Sequence, residues 1–199
     1  VSAEPLPIAV LVSGAGTNLQ ALLDTVHTVA SSVADAPALA RAAARDVPAE
    51  VFARADYPDR TARDQALAEW LGARGARLVV LAGYMALLSD SFLARFPGAV
   101  INVHPSLLPS FPGLHAIEQA LEYGVKVFGV TVHFVDGGVD SGPVILQRAV
   151  ELPEARTPEE VLAALRPLEH ALLPEVVRLF ARGALHIDPE NPRRIVIDG

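Results

Sequence analysis

Two uninterrupted apolar runs, IAVLV at 8–12 and LVVLA at 78–82, each have the length of one strand and no polar face. A strand of that kind must be covered on both sides, as the central strands of a parallel α/β sheet are. Around them the chain alternates short β-rich runs with longer helical ones, which again points to α/β architecture. With 199 residues, 51% hydrophobic and 20% charged, there is enough apolar surface for one domain of ordinary size.

After the first run comes SGAGTN, then Leu19, Leu22, Leu23 and Val26 at helical spacing, which predict a first helix. Further helices are expected over 36–45 and 59–72, the latter with Ala62, Ala66, Leu67, Trp70 and Leu71 on one side. Ser89 can cap a short helix ending near Arg95, and 99–102 reads as a third strand. HPSLLPSFPGLH, with three prolines and a glycine, must be a rigid loop. Residues 125–135 and 143–150 read as two strands joined by a tight glycine-bearing loop. Thr157-Pro158-Glu159-Glu160 is a helix start with a capping box, followed by a stripe at Val161, Leu165, Leu168, Leu172, Val176 and Leu179. The tail 184–197 is expected to form a small β-element.

Composition excludes several classes of function. Cysteine is absent, which removes disulfides, thiolate nucleophiles and thiolate metal sites. A formal charge of -7 argues against a general nucleic-acid or acidic-membrane binder, while a small anion can still be held by backbone amides. The opening VSAEPLPIAVLVSG lacks a basic n-region, and no stretch approaches the roughly 20 apolar residues of a membrane helix, so the expected location is cytoplasmic.

Three segments carry chemistry. Residues 13–18 let the backbone approach a ligand and offer amides suited to an anion; the alternative is a plain β–α turn with a Thr or Asn cap. The third glycine of a dinucleotide fingerprint and the lysine of a P-loop are both missing. Asn102 and His104, two apart at the carboxyl end of a strand, point to the same side of the sheet edge where ligands bind, a pairing suited to a developing oxyanion. The alternative is a satisfied polar pair ending a strand. The loop DGGVDSG at 136–142 either wraps a ligand or turns a hairpin; a carboxylate there, close to His104, would favour the imidazolium. His104, His115 and His133 match no metal-ligand spacing, and His27 and His186 read as surface residues.

Taken together, SGAGTNLQALL, LAGYMALLS, INVHPSLLPSFPGLHA, GVTVHFVDGGVDSGPVILQ and PLEHALLPEVV resemble the formyltetrahydrofolate-dependent formyltransferase family over nearly the whole chain. The resemblance implies a Rossmann-like open, mostly parallel sheet with helices on both faces and a C-terminal β-hairpin and helix extension, as a single formyltransferase domain over 1–199. It implies formyl transfer from N10-formyltetrahydrofolate to the amine of 5-phosphoribosylglycinamide in purine biosynthesis. No metal, nucleic acid or membrane is implied, and the chain would be a monomer or a homodimer. Family members acting on tRNA or hydrolysing the formyl folate carry a further domain for which this chain has no room.

Residue by residue, the resemblance makes Asn102, His104 and Asp140 the catalytic trio. It assigns Gly16, Thr17 and Asn18 to the phosphate of the ribonucleotide, and Arg166, Pro167, Leu168 and Glu169 to the same substrate. Arg60, Met85, Ala86, Leu87 and Leu88, with Asn102, Asp136, Gly137, Gly138, Val139 and Asp140, match the folate-binding positions. Ala86 stands where relatives usually carry arginine, so one folate contact is missing, and Ala15 replaces a commoner polar residue. The stretch 26–35 is shorter than the family requires: either the second strand is cut to about 29–33, or residues are absent from the chain. A non-catalytic folate or nucleotide binder would not need the trio. An NAD-dependent oxidoreductase would need the complete fingerprint and an acidic ribose ligand.

Overall fold

The computed structural model describes residues 6–198; the first five residues of the opening segment lie outside them. The chain forms two compact units that meet in sequence at residues 101 and 102. The first contains β1 (Ile8–Val12), α1 (Thr17–Gln20), β2 (Val26–Ser31), α2 (Pro37–Ala43), β3 (Ala49–Val51), α3 (Arg60–Ala73), β4 (Leu78–Leu81) and α4 (Asp90–Arg95). Its strands run β3-β2-β1-β4, all parallel, and β1 and β4 are buried throughout. The two apolar runs are therefore neighbouring inner strands.

The first helix differs from expectation. It is a single turn, and Val26 opens β2 instead of ending the helix. Leu19, Leu22, Leu23 and Val26 are buried as the spacing requires, but the chain closes with turn bonds, Thr25 Oγ1 donating to Leu22 O at 2.9 Å. β-branched Thr25 and Val26 favour leaving the helix at this point. The shortness of 26–35 is thus accommodated by the helix, and β2 keeps six residues, starting earlier than 29. On α3, capped by Asp59 (Ala62 N–H to Oδ1, 2.8 Å), the buried face is Arg63, Asp64, Leu67, Ala68 and Leu71. That face opens with a charged pair, and Ala62 and Ala66 are not on it.

The second unit holds β5 (Val100–His104, entered from the first), α5 (Ala116–Tyr123), β6 (Val127–Phe134), β7 (Val144–Glu151), α6 (Pro158–Ala181), β8 (Leu185–Asp188) and β9 (Asn191–Ile197). Strand order is β5-β6-β7-β9-β8. β6 and β7 are antiparallel, β7 and β9 parallel, and β8 with β9 forms the expected terminal hairpin. The sheet is therefore mixed where the first unit's is parallel. The short strand β3 and helix α5 have no counterpart in the sequence reading.

The proline-rich loop after β5 is pinned onto β6. Thr131 Oγ1 donates to Ser106 O at 2.7 Å and accepts from Leu108 N–H at 3.1 Å and from Gln147 Nε2 at 2.9 Å. Gly129 has no side chain because Leu107 and the Arg148 carbonyl fill the place of a Cβ. The loop bears His104 at its start, so this buried network sets the direction in which the histidine leaves the sheet.

Helix α6 packs on β6 and β7 through Val161, Leu165, Leu172, Leu173, Val176, Val177 and Leu179. Pro167 and Pro174 lie inside it and deprive the Ala163 and His170 carbonyls of an intrahelical donor. Each interior proline costs about 3 kcal/mol, whereas each buried aliphatic side chain returns roughly 1.5–3 kcal/mol, so the stripe outweighs the breaks. At the start of the helix, Thr157 accepts from Glu160 N–H at 3.3 Å and the Glu160 carboxylate accepts from Thr157 N–H at 3.2 Å. Thr157→Ala removes one half of this box and is expected to lower unfolding free energy by about 1 kcal/mol, read from urea denaturation.

Candidate active site

Asn102 and His104 lie at the carboxyl end of β5, on one face of the strand. Both meet the same carboxylate, that of Asp140, in the loop after β6. Asn102 Nδ2 donates to Asp140 Oδ1 at 3.2 Å, and His104 Nδ1 lies 3.3 Å from Oδ2. Oδ2 also accepts from Gly113 N–H at 2.8 Å, which ties the proline-rich loop to the group. His104 is 4% exposed, deep enough for these contacts to be shielded from solvent.

The partners of His104 define its hydrogens. Nε2 lies 2.8 Å from the Phe111 carbonyl and Nδ1 faces the carboxylate. The Phe111 carbonyl can only accept, so Nε2 carries the hydrogen of that contact. Phe111 has φ 53, a left-handed conformation that turns its carbonyl onto the ring.

Asp140 also adopts a left-handed φ, 49, which aspartate tolerates better than most side chains. Burial pushes its pKa up, but a hydrogen bond from His133, the Gly113 amide and the charges of His104 and His133 outweigh it and hold the carboxyl below the ordinary aspartate value. The other aspartate of the loop has a different task. Asp136 Oδ1 accepts from Gly138 N–H at 3.1 Å and from Ser141 Oγ at 2.7 Å, closing the turn. Gly142 must be glycine because the Phe134 carbonyl occupies the position of a Cβ. Gly137, Gly138 and Val139 form the exposed crest between the two aspartates.

His133 is the residue that sequence reasoning missed. It is 1% exposed, with Nε2 3.3 Å from Asn102 Nδ2 and 3.5 Å from Asp140 Oδ1, and Nδ1 2.8 Å from the Phe134 carbonyl. The signal was its position at the end of β6, two residues beyond Thr131, facing the strand that carries Asn102. His115 is exposed and pairs with Glu118 at 3.5 Å, apart from the trio. Among the described residues, no group of three or more histidine, aspartate or glutamate side chains is placed to hold a metal ion.

In the first unit, residues 13–18 form a loop whose carbonyls are engaged. Gly14 O accepts from Ala38 N–H at 3.1 Å, Ala15 O from Arg41 Nε at 2.8 Å, and Gly16 O from Gln20 N–H at 3.0 Å. Among the described residues, no acceptor takes the amides of residues 14–17. Gly16 has φ 69, and a Cβ there would lie 2.6 Å from Ala38 Cβ. Gly16 is buried and Thr17 half-buried. One helical turn carries little macrodipole, so the amides and the side chains of Thr17 and Asn18 supply the attraction for an anion.

Residues 85–88 are held at both ends. Ser13 Oγ accepts from Met85 N–H at 2.8 Å, Arg63 Nη2 donates to Leu87 O at 2.9 Å, and Asp64 Oδ2 accepts from Ser89 N–H at 2.6 Å. Arg63 and Asp64 form a buried ion pair, so the arginine that fixes this segment is Arg63, while Arg60 is exposed at the start of α3. Met85 and Leu87 point outward, 67% and 59% exposed, an apolar surface available to a ring system. Neighbouring Tyr84 is pushed up to about 12 by burial, with Arg63 opposing and Asp64 adding to the rise, and stays neutral. On α6, Arg166 and Pro167 are exposed, Leu168 is half-buried and Glu169 is buried. Burial, with the charge of Arg166, lowers the pKa of adjacent His170 and keeps it neutral at pH 7.

Residues 6–177 match the family described as formyl transferase. The chain is 40% identical over 189 residues to phosphoribosylglycinamide formyltransferase of Haemophilus influenzae, covering 90% of this chain and 89% of that one. It is likewise 40% identical over 179 residues to the Bacillus subtilis protein of the same name, covering 85% and 92%. Among solved structures, glycinamide ribonucleotide transformylase 1 from Symbiobacterium toebii superimposes with a TM-score of 0.94 at 50% identity, covering 98% of this chain and 94% of that one.

The low pKa of Asp140 links it to stability in a defined direction. A folded-state pKa below the unfolded value contributes stability that is fully present above about pH 4 and lost as pH falls through the folded value. Asp140→Asn keeps the side chain's shape and removes the charge. The stability difference between the two proteins is expected to be constant from pH 7 to about pH 5 and to shrink below about pH 4, measured by urea denaturation across that range. A difference independent of pH contradicts this account of the carboxylate.

Proposed function

The chain belongs to the formyl transferase family, and on that premise we propose that it transfers the formyl group of N10-formyltetrahydrofolate to the amine of 5-phosphoribosylglycinamide. The products are 5-phosphoribosyl-N-formylglycinamide and tetrahydrofolate, a step of purine biosynthesis. The observation that carries this reading is the Asp140 carboxylate holding Asn102 and His104 side by side at the end of β5. A protein that only bound folate or nucleotide would have no use for two oriented donors sharing one anion.

In this mechanism Asn102 and His104 act where charge develops. As the amine attacks the formyl carbon, Asn102 Nδ2 and His104 Nε2 give hydrogen bonds to the formyl oxygen, which becomes an oxyanion only in the transition state. His104 transfers to that oxygen the hydrogen it gives Phe111 O in the resting structure. Asp140 keeps the imidazolium charged and aimed. Through a water, Asp140 takes the proton shed by the attacking amine, and as the tetrahedral intermediate collapses and the C–N10 bond breaks, a proton passes to N10 of the departing tetrahydrofolate. His133 stands beside the same pair, its Nε2 3.3 Å from Asn102 Nδ2 and 3.5 Å from Asp140 Oδ1.

Substrate recognition divides along the sequence. Gly16, Thr17 and Asn18 take the phosphate of the ribonucleotide, and Arg166, Pro167, Leu168 and Glu169 contact the same substrate, with Glu169 near its amine. Met85, Ala86, Leu87, Leu88 and residues 136–140 enclose the pterin, partly with backbone groups, and Arg60 contacts the same substrate. The clamps of Arg63 and Asp64 on residues 87 and 89 support this by fixing the backbone that the pterin would meet.

A formyl-transfer assay with glycinamide ribonucleotide beside a water-only control tests the proposal. Transfer to the ribonucleotide is expected, and hydrolysis alone would contradict it. His104→Ala and Asp140→Asn are expected to reduce kcat by about 10²–10⁴-fold with little change in ribonucleotide affinity. Thr17→Ala and Asn18→Ala are expected to raise the ribonucleotide KM by about tenfold while keeping kcat. Unchanged KM in both removes the phosphate assignment.

A further inference from the structure

Three neighbouring strands of the first unit, β2, β1 and β4, are followed by residues 32–36, 13–18 and 83–88 respectively. The segment after β1 is the one assigned to the ribonucleotide, and the segment after β4 carries the pterin contacts 85–88. One hydroxyl joins all three segments. Ser13 Oγ accepts from Met85 N–H at 2.8 Å and shares a hydrogen with Ser32 Oγ at 2.6 Å. The sequence reading gave this side chain no task, and the mechanism above does not use it.

Backbone bonds hold the hydroxyl in its place. Ser13 N–H donates to Gly83 O at 3.1 Å, and Ser32 N–H donates to Val12 O at 3.1 Å. Each outer segment is therefore tied twice to residues 12 and 13. A hydroxyl has one hydrogen and two lone pairs, so Ser13 can serve Met85 and Ser32 together. Just beyond it the chain is loosely packed: nothing stands within 4 Å of the place a Cβ would take at Gly14. An anion gripped by residues 16–18 would fix the chain from Gly14 onward, and with it the oxygen that receives Met85 N–H. A ligand lying on residues 85–88 would fix the same oxygen from the other side. A group that both ligands need ordered is ordered only once when both are bound, which is the condition for positive coupling without a change of fold.

We infer that the Ser13 hydroxyl couples the two substrate segments, so that ribonucleotide and folate each raise the other's affinity. This rests on reading residues 16–18 as the ribonucleotide's and residues 85–88 as the folate's. One intramolecular hydrogen bond bounds the effect at roughly two- to tenfold in affinity.

Calorimetry with tetrahydrofolate and glycinamide ribonucleotide, a pair that has no formyl group to exchange, tests the coupling. In the wild-type chain, saturating ribonucleotide is expected to lower the Kd of tetrahydrofolate about five-fold, and saturating tetrahydrofolate to lower that of the ribonucleotide by the same factor, as linkage requires. In Ser13→Ala the factor is expected to fall to about one. The Kd of the ribonucleotide bound alone is expected to stay nearly unchanged, which a disordered loop would not allow. Ser13→Thr keeps the hydroxyl and is expected to keep most of the factor. A wild-type factor of one overturns the inference. So does a factor that survives in Ser13→Ala, which would place the coupling in direct contact between the ligands. A large loss of ribonucleotide affinity in Ser13→Ala overturns it as well, since the serine would then serve its own loop. All three results leave the substrate readings standing. A wild-type chain that binds neither ligand removes those readings, and the inference with them.

Discussion

The Asp140 carboxylate organises the second unit's chemistry. Its Oδ1 accepts from Asn102 and its Oδ2 from the Gly113 amide, with the imidazole of His104 against the same oxygen and that of His133 near the first. Four segments far apart in the chain thereby converge on one anion. Two positive partners and an amide overcome the tendency of burial to neutralise it, which is why the carboxyl remains ionised below the usual aspartate range. Removing the charge would leave His104 without its counter-ion and Asn102 free to turn. The polar cluster is thus both an anchor for loops and the oriented donor pair that the proposed transfer needs.

The first unit relies on backbone hydrogen bonding. In the loop 13–18 the carbonyls of residues 14–16 are satisfied from α1 and α2, and the segment 85–88 is fastened through Ser13 and the Arg63–Asp64 pair. A buried ion pair is weak as a source of stability, because desolvation offsets its attraction. Here its value lies in geometry, since both partners also bind backbone groups of the loop that carries Met85 and Leu87.

The inner strands were legible because fully buried strands leave an unmistakable apolar run, and α6 because its capping box and stripe coincide. The first helix was misread because residues 19–26 satisfy helical spacing while belonging to a turn and a strand; periodicity reports burial, and burial has more than one cause. Asn102, His104 and Asp140 could be singled out from residue type and from family likeness. Their convergence could not be read from spacing, since 38 residues separate Asn102 from Asp140. His133 escaped because a lone histidine in a β-branched strand looks like a core residue, and Arg63 because a charge on the buried face of a helix breaks the pattern used to find that face.

The central claim is that the Asp140 carboxylate and the Phe111 carbonyl hold His104 with a hydrogen on Nε2, the donor that the proposed transfer uses. Nitrogen-15 NMR of the imidazole observes this directly. The account requires a hydrogen on Nε2 of residue 104 in the wild-type chain. An Nε2 without a hydrogen would contradict it.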